Sequence, residues 1–496
     1  MIGQMKKRSI AVRISVFTVS ADNHIPWLSF FVCKYIRREI KNVNSNQPIR
    51  NARELGLPKM LILGIQHLFA MFGATVLVPI LVNGYGLPLN IQTTLFFAGV
   101  GTLFFHVCAR MKIPAFLGSS FAFLGGFSTI GSLNTGIYAT MSPEDKLANA
   151  CGGIVVAGLA YLILAAVIKL VGVKKVMRFL PPAVTGPIII CIGLTLAPSA
   201  VSNASTCWPL ALVALVTIVY FNIWGKGMLK IIPILMGVVV SYLVALVMNA
   251  CGFTITDAQG VAQPLIDFSS VAQAGLVGLP PFTLAHFDVT AILVMAPIAL
   301  ATMMEHVGDL SAISATTEQN FIEDPGLHRT LIGDGLASAL SAMFGGPANT
   351  TYGENTGVLV LSGVYDPLVI RIAAVFAIIL SFIPKMSAII GSMPSAIVGG
   401  VSFILYGMIS AIGVRNIVEN NVDFTNSRNL IIAAVILVSG LGFSSGLTFT
   451  VAGTPITLTG LAIAAIAGVV LNIVLPGNDY EFGVNPSGDQ NRGIHR

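Results

Sequence analysis

Apolar residues fall in successive stretches of about 17 to 25, each long enough to cross a hydrocarbon core of roughly 30 Å as a helix. No other feature restricts the fold of this chain so tightly. Hydrophobic residues make up 55% and charged residues 10%, whereas a soluble domain carries about 25% charge. The apolar runs do not alternate with polar positions, which excludes a membrane β-barrel. The chain is read as an all-α polytopic membrane protein. Runs and their breakers place candidate spans near 59–82, 91–109, 115–132, 147–171, 182–198, 207–224, 229–250, 287–311, 328–344, 349–362, 366–384, 394–413, 428–443 and 457–475, fourteen in all.

The formal net charge of +6 does not point to nucleic acid, because the basic residues gather before residue 60 and in short loops between apolar runs. The positive-inside rule accounts for them and predicts a cytoplasmic N-terminus and C-terminus in a plasma (inner) membrane. Between Lys230 and Arg329 there is no Lys or Arg, so residues 251–286 read as an external loop. Lys385, which falls outside on this count, is the exception. Residues 1–58 read as a cytoplasmic extension without a signal-peptide pattern, and 476–496 as a cytoplasmic tail. Arg415, Asp423 and Arg428 read as one cytoplasmic loop. Cys33, Cys108, Cys151, Cys191, Cys207 and Cys251 show neither metal-ligand nor redox spacing and read as small buried hydrophobes.

Two candidate spans differ from the rest. The third opens with GSSFAFLGG from Gly118 and the tenth with GGPANTTYGENTG from Gly345, both short and rich in Gly and polar residues. They lie seven spans apart. At the same offset, Pro181 and Gly186 of the fifth span are echoed by Pro394 and Gly399 of the twelfth. An odd offset turns the second copy upside down, and inverted repeats with paired interrupted helices put a binding site where the interruptions meet. Non-helical backbone at membrane depth is tolerated only inside protein or beside a wet cavity. Taken singly, Ser119, Ser120, Thr350 and Thr351 would be ordinary packing residues; as a symmetry-related pair the two segments mark a site.

Ionisable groups inside spans are costly and so carry information, at about 2.5 kcal/mol or more each. Span eight holds Glu305, His306 and Asp309, and the tenth segment holds Glu354. Glu305 and Asp309, four apart, share a helix face, while His306 points elsewhere. Asp309 also reads as a solvated acid near a span end, and Glu305 and Glu354 as structural acids. Gln66 and His67 support the site or satisfy nearby backbone, and Asp334 and Arg371 read as packing or topology residues close to span ends. Carboxylates accept hydrogen bonds from N–H groups, and the open N-terminus of a half-helix donates to carbonyl oxygens. A neutral ring with alternating N–H and C=O groups meets both, with Phe121, Tyr352 and Tyr406 available to cover its faces. A nucleobase fits, as do other small cyclic amides or ureas.

QHLFAMFGATVLVPIL from Gln66, KIPAFLGSSFAF from Lys112, EHVGDL from Glu305, DPGLHR from Asp324 and TTYGENTGV from Thr350 resemble the nucleobase–ascorbate transporter (nucleobase:cation symporter-2) family, and within it the bacterial uracil permeases. The resemblance covers about residues 59–475. It implies fourteen spans in two inverted sevens. The core would comprise 59–171 and 287–384, the gate 172–250 and 385–475. It further implies a homodimer, proton as the coupling ion, no other cofactor, no metal and a nucleobase, uracil in this branch, as substrate. By the same resemblance Glu305 and Glu354 bind the N–H edge of the base, and the backbone of Phe121 and Gly353 meets its carbonyls. Ala74, Tyr352, Ser402 and Tyr406 line the pocket, with Gln66, His67, Ser120 and Asn355 in support. Asp309 or Glu305 carries the proton. Asp309 stands where uracil permeases often have His, the type more usual among purine-transporting relatives, and Ser362–Gly363 replaces the usual Thr and basic residue after the second Glu. A xanthine or urate symporter is therefore the second expectation. A membrane enzyme acting on lipid would need a nucleophile and base, or metal ligands, at a membrane face, and the near-absence of His and Cys clusters and of any sizeable soluble domain argues against it.

Overall fold

The computed structural model describes residues 48–256, 262–451, 454–478 and 480. Residues 1–47 of the expected extension, with Cys33, and most of the expected tail lie outside the described residues. By contacts the chain divides into Met1–Arg50 and Asn51–Arg496, and the fold described below belongs to the second unit.

In chain order the principal helices are α1 Leu57–Gly84, α2 Ile91–Cys108, α3 Leu124–Ser132, α4 Pro143–Val171, α5 Pro182–Ser205, α6 Trp208–Trp224 and α7 Pro233–Ala250. They continue with α8 Val289–Thr317, α9 Leu327–Met343, α10 Gly353–Ser362, α11 Pro367–Ser381, α12 Ser395–Glu419, α13 Ser427–Gly442 and α14 Gly460–Val474. Their starts follow from local chemistry. Proline occupies the first turn of α1, α4, α5, α6, α7 and α11, where its missing N–H costs nothing. Asn90, Ser142, Asp366 and Thr459 cap α2, α4, α11 and α14 by accepting backbone N–H bonds.

Among the described residues, seven helices (α1, α2, α4, α5, α7, α8 and α12) are long and apolar enough to cross a membrane. An eighth is reached if α11 and the following helix Pro384–Gly391, bent from it by 85°, count as one span. α6, α13 and α14 are apolar but shorter. The chain is thus a helical, multi-pass membrane protein.

Several boundaries differ from the sequence expectation. α12 runs on to Glu419, so Arg415 belongs to its last turns and bonds Glu419 at 2.8 Å rather than sitting in a loop. Arg428 also lies in a helix, α13, buried, with its guanidinium on the Asn472 carbonyl and side-chain oxygen at 2.7 Å each. Both were misplaced because a charge near a helix end reads as loop when only hydropathy is weighed. Cys251 is exposed, since α7 ends at Ala250, whereas Cys151 and Cys191 are buried. Part of the region expected to precede the fold is packed: Ala52 is buried and its N–H donates to Asp366 at 2.7 Å. A hairpin of Leu447–Val451 with Thr454–Leu458 takes the start of the expected fourteenth span.

The helices pack in matching pairs. α2 lies against α11 and α9 against α4; α12 lies against α6 and α5 against α13. α5 and α12, the two helices sharing the Pro and Gly echo, also cross each other closely. At that crossing a Cβ on Gly413 would stand 2.7 Å from both the Gly186 carbonyl oxygen and the Ile190 nitrogen. These are backbone atoms and cannot swing aside. Gly413→Leu is therefore expected to cost about 1–3 kcal/mol through overpacking, read as a lower thermal midpoint of the purified protein; an unchanged midpoint would contradict this packing.

Candidate functional site

Two extended segments meet at the centre of the site. β1, Leu117–Ser119, pairs antiparallel with β2, Asn349–Thr351, in the register Leu117 to Thr351, Gly118 to Thr350 and Ser119 to Asn349. All six residues are buried. The ladder extends on both sides, with Ser120 N–H on the Ala348 carbonyl at 2.8 Å and Tyr352 N–H on the Phe116 carbonyl at 3.0 Å. A hydroxyl from a neighbouring helix serves the first residue of each strand. Thr102 of α2 accepts from Leu117 N–H at 2.9 Å and donates to its carbonyl at 3.2 Å. Ser338 of α9 accepts from Asn349 N–H at 3.0 Å and donates to its carbonyl at 2.8 Å.

Each strand leads into a helix start that no side chain caps: a helical turn at Phe121–Phe123 before α3, and Gly353 at the head of α10. Those ends leave backbone N–H groups and positive dipole ends available to an acceptor. Glu354 stands in the first turn of α10. Glu305 and Asp309 project from α8, both buried, and Glu305 is within electrostatic reach of Asp309, Asp334 and Glu354. All three carboxylates come from the second half of the chain, where α8 packs against α10. Asp309 accepts a hydrogen bond from Thr351 of β2 at 3.0 Å, which ties α8 to the strand pair. Because α8 continues to Thr317, Asp309 is well inside its helix rather than at a span end.

The remaining predicted residues fall into three groups. Tyr352 is buried across the strands, its hydroxyl donating to the Ser119 carbonyl at 2.8 Å, and a Cβ on Gly118 would collide with its ring. Ser119 in turn donates to the Thr75 carbonyl at 2.9 Å, which brings α1 next to β1 at Ala74, itself buried. Asn355 bridges to α1 by donating to the His67 carbonyl at 3.0 Å, with His67 Nδ1 at 3.2 Å. On the other side, Phe121 meets Tyr406 of α12 edge to face at 5.9 Å. Ser402 is buried one turn away, and neither its hydroxyl nor that of Tyr406 has an aligned hydrogen-bond partner. Gln66 Oε1 and Ser120 Oγ are likewise buried without one.

Sequence reasoning misread Asp334. It is completely buried in the middle of α9, not near a span end, and lies 3.3 Å from His306 Nδ1, outside hydrogen-bond alignment. The signal was present: His306 adjoins Glu305, and an Asp between two glycines in an apolar helix needs a charged or polar neighbour. The structural roles of Thr102 and Ser338 had no such signal, since hydroxyls are common in membrane helices.

A cavity of about 500 Å³ opens beside α10, walled by Phe69, Lys230, Ile234, Glu354, Ile412 and Arg415 among others. A second, of about 150 Å³, lies beyond Gly353, Gly357 and Ile412 and holds Asp309. Of the predicted ligands, Gly353 and Glu354 face the larger cavity, while Phe121, Tyr352, Ala74, Ser402, Tyr406 and Glu305 are packed off its wall.

Residues 58–449 match the family model Xan_ur_permease, described as Permease family. The chain belongs to this family. As a member it is a permease of the membrane rather than an enzyme. It is 39% identical over 430 residues to the uracil permease of Bacillus caldolyticus, covering 84% of this chain and 91% of that one. It is also 39% identical to the uracil permease of Bacillus subtilis (83% and 91% covered), and 37% identical to the putative pyrimidine permease RutG of Escherichia coli (84% and 89% covered). Among solved structures, the transmembrane domain of the cyanobacterial bicarbonate transporter BicA aligns with a TM-score of 0.56 at 14% identity, covering 86% of this chain and 99% of that one. Murine Slc26a9, an anion transporter, aligns with the same TM-score at 11% identity, covering 93% and 74%. These two share the permease's fold.

Because one Ser338 hydroxyl holds both polar groups of Asn349, Ser338→Ala leaves two buried backbone groups of the permease without a partner. The expected loss is about 1–3 kcal/mol of stability, with faster hydrogen exchange at residues 349–351 than in the parent; unchanged exchange there would refute the strand-anchoring role.

Proposed function

We propose that this permease imports uracil, or a closely related nucleobase, by proton symport across the inner membrane. The observation that carries the reading is the packing of α8, with buried Glu305 and Asp309, against α10, whose uncapped first turn holds Glu354 and whose Gly353 stands where a Cβ would be 3.9 Å from Asp309. A uracil-like ring presents N–H donors and C=O acceptors on its edge. Glu305 and Glu354 take the donors, and the backbone N–H groups at Phe121 and Gly353 take the carbonyls. Ala74, Tyr352, Ser402 and Tyr406 enclose the ring once it is bound, and Gln66, His67, Ser120 and Asn355 hold those groups in place. Three relatives named for uracil or pyrimidine, aligned over more than four-fifths of the chain, support the pyrimidine choice.

On this reading the fourteen helices are two inverted repeats of seven. The support is reciprocal: α2 and α9 each supply a hydroxyl to the first residue of a strand, and the pairs α2–α11 and α9–α4 match under a half-chain exchange. α1–α4 with α8–α11 form the core that carries the site. α5–α7 with α12–α14 form the gate against which it moves, and the protein works as a homodimer with both termini in the cytoplasm. Proton binding at Asp309 or Glu305 relieves the repulsion among clustered carboxylates, which cannot all stay charged in a low dielectric. The loaded core is then free to move.

Glu305→Gln keeps the shape but removes the negative charge. It is expected to cut pH-driven uptake of labelled uracil about a hundredfold, the equivalent of one lost charge-assisted hydrogen bond at roughly 3 kcal/mol. Near-normal, pH-dependent accumulation in this variant would refute the role. Unlabelled xanthine or urate in excess is expected to leave uracil uptake by the parent protein intact; strong competition would assign a purine substrate instead.

A further inference from the structure

Asp309 lines a cavity that adjoins the one beside Glu354 but does not include that acid. The smaller cavity, about 150 Å³, is walled by Asp309, Ser311, Thr356, Asn416, Glu419 and Asn420, with Gly308, Arg415 and apolar residues completing it. Since a buried water needs on the order of 10–15 Å³ of such space and two to four polar partners, this volume has room for a short chain of waters. The larger cavity touches Glu354 but not Asp309, and the two share Gly353, Gly357, Val360, Ile412 and Arg415 as a common wall.

The polar lining is ordered from the acid outward. Thr351 holds one Asp309 oxygen at 3.0 Å. Asn416 of α12 faces the cavity while its amide donates to Thr185 of α5 at 2.9 Å, and Asn420 donates to Asn416 at 2.7 and 2.9 Å. At the outer end Arg415 and Glu419 form an ion pair at 2.8 Å, about half and a third exposed. The groups facing Asp309 are therefore Glu305 on its own helix, Asp334 from α9, Thr351 and Glu354 from the β2–α10 segment, and Arg415 and Glu419 from α12.

We propose that this smaller cavity is the proton exit, distinct from the substrate exit, and that Asn416, with the Arg415–Glu419 pair at its mouth, positions the waters of the route. The inference rests on the symport reading. In it, the Asp309 carboxyl gives its proton to the first water, the proton leaves past Glu419 to the aqueous side, and the carboxylate that remains is held by Thr351. The nucleobase leaves through the larger cavity past Glu354. Two exits divided by a glycine-lined wall let one conformation release both cargoes without either blocking the other.

The test uses purified full-length protein in liposomes, with labelled uracil and a pH-sensitive dye in the lumen. Asn416→Leu, and separately Ser311→Val, dry the small cavity without touching the larger one. Uracil-for-uracil exchange, which needs no net proton release, is expected to stay within about twofold of the parent. Net uptake driven by a pH gradient, and the accompanying dye signal, are expected to fall about tenfold. Exchange and net uptake falling together in both variants, or net uptake unchanged in both, would overturn the separate exit. A parent protein that takes up uracil with no luminal acidification would sink the symport reading itself, and this route with it.

Discussion

A chain surrounded by lipid cannot leave backbone N–H and C=O groups unpaired, and this protein interrupts two of its helices in its interior. The antiparallel pairing of β1 with β2 resolves that conflict. Each strand supplies the other's partners, Thr102 and Ser338 satisfy the strand starts, and the helices that follow begin without side-chain caps because their ends point into the site. Without the strand pair there would be no two helix starts side by side, and so no position where acids from α8 and α10 share a centre.

Around this centre the polar network is continuous with the packing. Tyr352, Ser119 and Thr75 run from β2 through β1 to α1, Asn355 and His67 join α10 to α1, and Thr351 joins β2 to Asp309. These bonds all lie among α1, α8, α10 and the two strands, so the site is one hydrogen-bonded unit. By contrast, α12 meets it through the edge-to-face contact of Phe121 with Tyr406 and through cavity walls. Ring contacts and cavities tolerate sliding better than buried hydrogen bonds do. That difference supports the proposed division into a core and a gate.

Gln66 Oε1, Ser120 Oγ, Ser402 Oγ and Glu305 Oε2 are buried without an aligned protein partner. Each such group costs about 1–3 kcal/mol unless something binds it.

Hydropathy alone determined that the chain is helical and multi-pass, because a run of apolar residues long enough to cross lipid has few other fates. The positions of α1 to α14 were legible for the same reason, and the paired interruptions at Gly118 and Gly345 were visible because glycine and hydroxyl residues break an apolar run. Glu305, Asp309 and Glu354 stood out because charge in such a run is costly. Tertiary structure decided the rest. Periodicity does not say that Asp334 lies beside His306, that Arg415 and Arg428 belong to helices, or that one hydroxyl from α2 and one from α9 hold the strands. These depend on where a helix ends and on which faces meet across 11 to 44 residues of chain, and hydropathy holds no record of either.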